Sequence, residues 1–272
     1  MAKHQESEAQ PNYDEASMTS SRYGSLPSTM NLYGEWTKWR SLNLCGANAK
    51  ERLCLIELQN GRSDKPPLGM RMGFLLRDGM SINDPLLAAV GDESRYNTFN
   101  PDGIIFLPPL DPDPKSDRMD KEFMRAEPGT NNDIAFHFSI EVGKEERREE
   151  FAWRKVKKGD DQAERNGYKL VRLSSSQQTS QPSRSSNVQE SSSFSPLLAG
   201  KDGETVAFLG WTMSWSDLTT AFKLELVDSQ SGALGGRWTL MVIVTAIRLY
   251  ALRVNGKTSK FVVDIGKKTL GK

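Results

Sequence analysis

The pattern of hydrophobic and polar positions changes along the chain from short alternating segments to one long apolar run. That run is Trp238 to Val254, WTLMVIVTAIRLYALRV. As an α-helix it would be about 25 Å long, slightly shorter than the roughly 30 Å hydrocarbon core of a bilayer. Apolar residues occupy nearly every side of this helix, a pattern typical of either a core helix or a membrane span.

The interior and the flanks of the run favour a helix buried in a protein core. Arg248 lies near its middle, where a charge in a bilayer costs about 2.5 to 3.5 kcal/mol even on the most lenient insertion scale. Gly235 and Gly236 precede the run, and Asn255-Gly256 follows it as a stop signal. We therefore predict a core helix in which the apolar stem of Arg248 lets its charge reach water or a carboxylate.

The rest of the ordered sequence has the pattern of short β-strands separated by turn signals. The clearest is Ile134 to Val142, in which five apolar residues alternate with four others. The predicted strand segments are 53–58, 73–76, 85–90, 103–107, 134–142, 151–156, 168–173, 205–209, 211–215 and 222–227. Because helices do not alternate with these segments, we predict a mainly β fold that ends in one helix.

Changes in composition divide the chain into an ordered domain and polar segments. Residues 1–30 are rich in polar residues and Pro, and we predict a disordered arm there. A single domain is predicted over 31–256, interrupted by a disordered Ser-rich insertion at 174–198. The mixed-charge run KEERREE is predicted to be a solvated turn or short helix, and 257–272 a basic tail.

Charge and cysteine content narrow the class of protein. The 36 Lys and Arg residues against 35 Asp and Glu leave a net charge of +1, which indicates no nucleic-acid partner. Two cysteines, Cys45 and Cys54, and two histidines, His4 and His137, are too few and too scattered for a zinc site. Since the N-terminus also lacks a secretion signal, we predict a reduced, intracellular, cytoplasmic protein without metal or cofactor.

The order of these elements resembles that of a known superfamily. The segments GFLLRDG, DPLLAAVGDE, FAWRKV and FKLELVD, followed by the terminal apolar run, resemble the tubby C-terminal-like superfamily, which includes tubby, the phospholipid scramblases and the LURP-one-related proteins. Two blocks, GEWTKWRSLNLCGANAKERL and RWTLMVIVTAIRL, also resemble an uncharacterised family of fungal proteins. The resemblance implies an antiparallel β-barrel of about ten to twelve strands around a buried hydrophobic C-terminal helix.

Elementary physics favours the same architecture. A closed barrel removes the unpaired edges of a sheet and offers a nearly all-apolar helix burial on every side. Neither a phosphoinositide-binding pair of basic residues nor a calcium-binding acidic loop from those families can be aligned with this chain. The resemblance therefore implies a fold but assigns no functional residue.

Candidate catalytic chemistry is sparse. His137, Ser139 and Glu141 share one face of the predicted strand and have the residue types of an acid–base group. No G-x-S-x-G nucleophile turn accompanies them, and alternation of this kind is common on a solvated strand face. An enzyme with a pocket at the barrel mouth, using His137, Glu141 or Asp92, is an alternative function; we predict no catalytic residue.

Basic residues after the apolar run suggest a binding function. We expect Arg248 and Arg253 to serve the helix. The candidates for contact with lipid are Lys257, Lys260, Lys267 and Lys268. The sequence thus favours a non-catalytic binding module that associates peripherally with an anionic membrane or with a protein partner. The same pattern would also suit a structural adaptor without lipid binding, or a membrane protein anchored by the apolar run.

Overall fold

Twelve β-strands and one long helix make up the fold. The computed structural model describes residues 26–34, 41–62, 64–94, 100–111, 118–128, 133–156, 166–173, 203–211, 220–227 and 232–258. The strands are β1 (Thr29–Gly34), β2 (Ser41–Cys45), β3 (Arg52–Asn60), β4 (Met72–Arg77), β5 (Leu86–Asp92), β6 (Gly103–Leu107), β7 (Asp120–Pro128), β8 (Ile134–Val142), β9 (Arg147–Lys155), β10 (Gly167–Leu173), β11 (Glu204–Trp211) and β12 (Thr220–Leu226). The helix, α1, is Gly236–Val254.

The strands form one closed antiparallel barrel. Each strand pairs with its neighbours in the chain, and β12 pairs with β1 to close the ring. The cleanest alternation is in β8, where Ile134, Phe136, Phe138, Ile140 and Val142 all face the core. Consecutive antiparallel strands need only short connections, and closure leaves no sheet edge unpaired. The predicted mainly β fold, a barrel around a C-terminal helix, is confirmed.

The barrel interior is filled by α1. Fourteen of its residues are buried, and ten of them join one apolar cluster that includes side chains from all twelve strands. Trp153 Nε1 donates a hydrogen bond to Thr245 Oγ1 at 3.0 Å, so the hydroxyl group of this buried threonine has a partner in the barrel wall. This enclosure explains why the helix is apolar on every side.

Some strands differ from the prediction. β6 and β8 have the predicted bounds, whereas β1, β2 and β7 were not predicted. The KEERREE run was predicted to be a turn or short helix, but Arg147–Glu150 within it belongs to β9. β1 and β2 are only six and five residues long, and five of the nine residues of β7 are charged, so the local pattern of each is too weak to predict a strand.

The first strand begins inside the predicted N-terminal arm. β1 starts at Thr29, and Met30 is fully buried in the barrel core. Residues 1–25 of the predicted arm and the whole predicted insertion at 174–198 lie outside the described residues.

The loop between β3 and β4 packs on the outside of the barrel. Leu68 of this loop is fully buried, and it lies directly over Gly73 and Gly91. A Cβ atom on Gly73 would come within 2.2 Å of the Val90 carbonyl oxygen and 2.9 Å of Leu68 Cδ1. The glycines therefore allow the close approach that holds the loop against β4 and β5.

Candidate functional site

The two open ends of the barrel differ in character. We call the end that carries Asp92, Gly103 and the last turn of α1 the helix-C-terminal mouth. Asp92 pairs with Gly103 between β5 and β6, and Asp92 contacts Arg248 of the helix. At the opposite end, the helix-N-terminal mouth, the Gly143 N–H donates to the Leu234 carbonyl just before α1 begins.

Arg248 forms a buried ion pair at the helix-C-terminal mouth. Its Nη1 lies 2.6 Å from Asp92 Oδ1, and the two side chains are only 6% and 15% exposed. Its Nη2 also donates to the carbonyl of Asp102 at 3.2 Å and more weakly to that of Pro101 at 3.4 Å. The prediction that Arg248 would reach water or a carboxylate is confirmed, and the group it reaches is the carboxylate of Asp92. Asp92, which the alternative enzyme function treated as an acid–base residue, is instead the counterion of Arg248.

A cleft of about 270 Å³ opens at the same mouth. Its lining residues come from β8 to β11, the loops beside them, the last turn of α1 and the chain that follows α1. They are Asp133, Ile134, Lys155, Asn166, Gly167, Tyr168, Trp211, Arg253 and Thr258. No sequence pattern joins these positions, because only closure of the barrel brings the ends of four strands beside the end of the helix.

Two aromatic rings and a guanidinium form one wall of this cleft. The rings of Tyr168 and Trp211 meet edge to face, with centroids 6.2 Å apart. The Arg253 guanidinium lies over the Trp211 ring, 4.8 Å from its centroid. Sequence reasoning assigned Arg253 to the helix terminus and missed its place in the cleft.

The charges lining the cleft are mainly positive. Lys155 and Arg253 are opposed by Asp133 alone, and neither cation forms an ion pair with any residue in the described part of the chain. Burial raises the pKa of Tyr168 to about 12, partly offset by the nearby Arg253 charge. The phenol is therefore neutral at physiological pH and available for hydrogen bonding. The arrangement suits an anionic or polar group of modest size.

Lys257 is the one predicted lipid-contact residue that the structure describes. Its backbone N–H donates to the Leu252 carbonyl at 2.7 Å, which ties it to the end of α1. Burial, together with the Arg248 charge, lowers the pKa of Lys257, while Asp92 opposes that change. Because Lys257 is held at the end of α1 and its ammonium group interacts with the charges of Asp92 and Arg248, its charge lies at the helix-C-terminal mouth. Lys260, Lys267 and Lys268 lie outside the described residues.

The side chains of the acid–base group considered as an alternative contact other residues of the barrel wall. His137 Nε2 lies 3.7 Å from Glu127 Oε2, and Ser139 Oγ accepts a hydrogen bond from Arg148 Nε at 3.0 Å. Glu141 Oε1 is 2.5 Å from Arg148 Nη1. All three side chains lie on the outer face of β8, and none lines the cleft.

Glu141 belongs instead to an ionic network across the barrel wall. Backbone pairing between β7 and β8 covers Arg125–Pro128 and Ile134–His137. Beyond this pairing, the guanidinium of Arg237 in α1 lies 3.4 Å from the carboxylate of Glu141 and 3.1 Å from that of Asp120. Arg148 also contacts Glu122 of β7. Burial alone would raise the pKa of Glu141, but its hydrogen bonds and the two arginines lower it overall. The network connects the two strands where their ladder ends.

Neither metal chemistry nor a known relative assigns a function to the chain. The described residues contain no group of three or more His, Cys, Asp or Glu side chains placed to hold a metal ion. Within the same residues, no helix has both the length and the apolar character needed to cross a bilayer. Comparison with protein-family models, curated proteins and solved structures finds no match. The resemblance to the tubby C-terminal-like superfamily stays a prediction.

Proposed function

We propose that this protein is a non-catalytic binding module that associates peripherally with anionic lipid through its helix-C-terminal mouth. The observation that supports this is the position of the cleft. Lys155 and Arg253 line it, and so does Thr258, the last described residue. The chain therefore enters its basic C-terminal segment at the rim of a cationic cleft.

The expected affinity follows from the number of basic residues. Lys257, Lys260, Lys267 and Lys268 contribute about 1 kcal/mol each near an anionic surface. A total of about 4 kcal/mol corresponds to a dissociation constant in the millimolar range. Lys155 and Arg253 extend the same charged surface. Binding is therefore expected to be reversible and to weaken as salt rises.

The cleft favours binding over catalysis. The charged residues among its described lining are Asp133, Lys155 and Arg253, and these described residues include no paired nucleophile and base. The acid–base candidates His137 and Asp92 are engaged with Glu127 and Arg248 elsewhere. A structural adaptor without lipid affinity is the main competing function, and the lipid assay separates the two.

The test is co-sedimentation with vesicles of phosphatidylcholine, with and without phosphatidylserine, at low and high salt. The cleft variant is Lys155→Glu with Arg253→Glu. The matched control, Lys144→Glu with Arg147→Glu, makes the same charge change at exposed positions near the helix-N-terminal mouth. A third variant changes all four C-terminal lysines to Glu. Thermal melting of each variant verifies folding.

The natural chain should sediment with anionic vesicles at low salt and be released at high salt. The cleft and C-terminal variants should lose binding, whereas the matched control should retain most of it. If the natural chain ignores anionic vesicles at low salt, or all the variants bind equally well, the lipid proposal is wrong and the adaptor function takes its place.

A further inference from the structure

The exposed large hydrophobic side chains are distributed unevenly between the two ends of the barrel. Among the described residues there are six of them. Leu58, Met70, Met72 and Val254 are 38%, 53%, 53% and 64% exposed and lie at the helix-C-terminal mouth. Met80 and Ile82, 37% and 60% exposed, lie in the β4–β5 hairpin at the other end. The mouth that carries the cationic cleft thus also carries most of the exposed apolar groups.

The exposed methionines are held in place by the structure around them. Met70 follows the buried Leu68 in the β3–β4 loop. Gln59 Nε2 donates to the Gly69 carbonyl at 2.5 Å, and Arg71 Nε donates to the Glu93 carbonyl at 3.3 Å. Met70 therefore projects from a loop that is anchored on both sides of it.

The barrel order places these apolar groups opposite the cleft. Leu58 and Met72 are on β3 and β4, whereas the cleft is lined by β8 to β11. Because β4 and β10 are six positions apart in a ring of twelve, they form opposite walls of the barrel. Val254 ends the helix that runs between those walls. One face of the molecule thus has a cationic side and an apolar side.

We propose that Leu58, Met70, Met72 and Val254 insert into the acyl boundary of an anionic bilayer while the cationic side contacts the headgroups. This inference rests on the lipid-binding function proposed above. Electrostatic attraction alone is weak, and stable peripheral binding generally needs a second, apolar contact. Exposed apolar groups beside a cationic surface provide that contact, and methionine side chains adapt readily to an irregular environment.

Site-specific fluorescence tests the insertion directly. Met72→Cys and Val254→Cys would each be labelled with an environment-sensitive fluorophore, and Ile82→Cys provides the matched control at the opposite mouth. The natural thiols should not react, because Cys45 and Cys54 are 1% and 3% exposed. Burial also raises the pKa of Cys54 to about 12. Co-sedimentation of the labelled proteins with phosphatidylserine vesicles is measured in the same samples.

The labels at Met72 and Val254 should shift to the blue on binding and be quenched by lipids with a quencher in the acyl chain, while the label at Ile82 should not. Binding without a shift at Met72 and Val254, or with a shift at Ile82, would overturn the insertion and leave the electrostatic proposal intact. Absence of binding by the natural, unlabelled chain would overturn both.

Substitution of the apolar groups gives a second, independent measurement. Met70→Ser with Met72→Ser should weaken binding to anionic vesicles about tenfold, because two apolar side chains no longer enter the bilayer. The control, Met80→Ser with Ile82→Ser, removes similarly exposed groups and should bind as the natural chain does. Equal affinity of the two double variants would contradict the proposal.

Discussion

The buried ion pair between Asp92 and Arg248 leads to a quantitative prediction about stability. Asp92 balances the only charge in the apolar interior of α1, and both side chains are largely removed from water. Replacing Asp92 by Ala leaves the guanidinium buried without its counterion. Removing one partner of such a pair costs about 3 to 5 kcal/mol, since the remaining charge is left uncompensated.

The surroundings of Arg248 place the expected cost at the lower end of that range. Its Nη2 keeps its hydrogen bonds to the carbonyls of Pro101 and Asp102 when Asp92 is lost. We therefore expect Asp92→Ala to lower the free energy of unfolding by about 3 kcal/mol. Asp92→Asn keeps a hydrogen-bond acceptor and should cost less, about 1 to 2 kcal/mol.

Urea unfolding followed by tryptophan fluorescence measures these changes. The double variant Asp92→Ala with Arg248→Met removes both charges, and it should recover most of the stability that Asp92→Ala loses. A loss below about 1 kcal/mol for Asp92→Ala would show that the pair behaves like a solvated surface ion pair. The reasoning would also fail if the double variant were as unstable as the sum of the two single variants.

Three further predictions concern the barrel. Thr245→Val leaves the Trp153 indole N–H without a partner and should cost about 1 to 3 kcal/mol in urea unfolding, whereas Thr245→Ser should cost less. Gly73→Ala should destabilise the barrel by about 3 kcal/mol because its Cβ meets backbone, and Gly210→Ala, whose Cβ has no neighbour nearer than 4.0 Å, should be nearly neutral. The folded pKa of Glu141 is lowered, so its contribution to stability is present above the ordinary glutamate pKa and disappears as pH falls through the folded value. Stability measured against pH should therefore fall less steeply in acid for Glu141→Gln; an unchanged pH profile would contradict this.

The sequence predicted the parts of the fold that depend on local pattern. The strict alternation from Ile134 to Val142 specifies a strand with one buried face, and the all-round apolar run ending at Val254 specifies a helix without a solvated side. Arg248 within that run was predicted to reach water or a carboxylate, and it pairs with the carboxylate of Asp92. These features are readable because side-chain periodicity follows directly from backbone geometry.

Strands such as β7 were not predictable from local pattern. Its outward residues Lys121 and Arg125 are charged, and Glu122 lies on the same side of the strand as the buried Met124. The Glu122 carboxylate is tolerated there because Arg148 of β9 pairs with it. That partner lies 26 residues further along the chain, so only the folded barrel reveals it.

The candidate site likewise depends on tertiary structure. The sequence alone predicted a basic segment after the helix and a helix buried on all sides, because both are properties of consecutive residues. It did not show that Lys155, Trp211 and Arg253 meet in one cleft, or that Met70 and Met72 lie across the same mouth. Those positions come from separate strands and loops, and no local periodicity relates them. Closure of the twelve-stranded ring around α1 brings them to a common face, because the order of the strands sets which ends become neighbours.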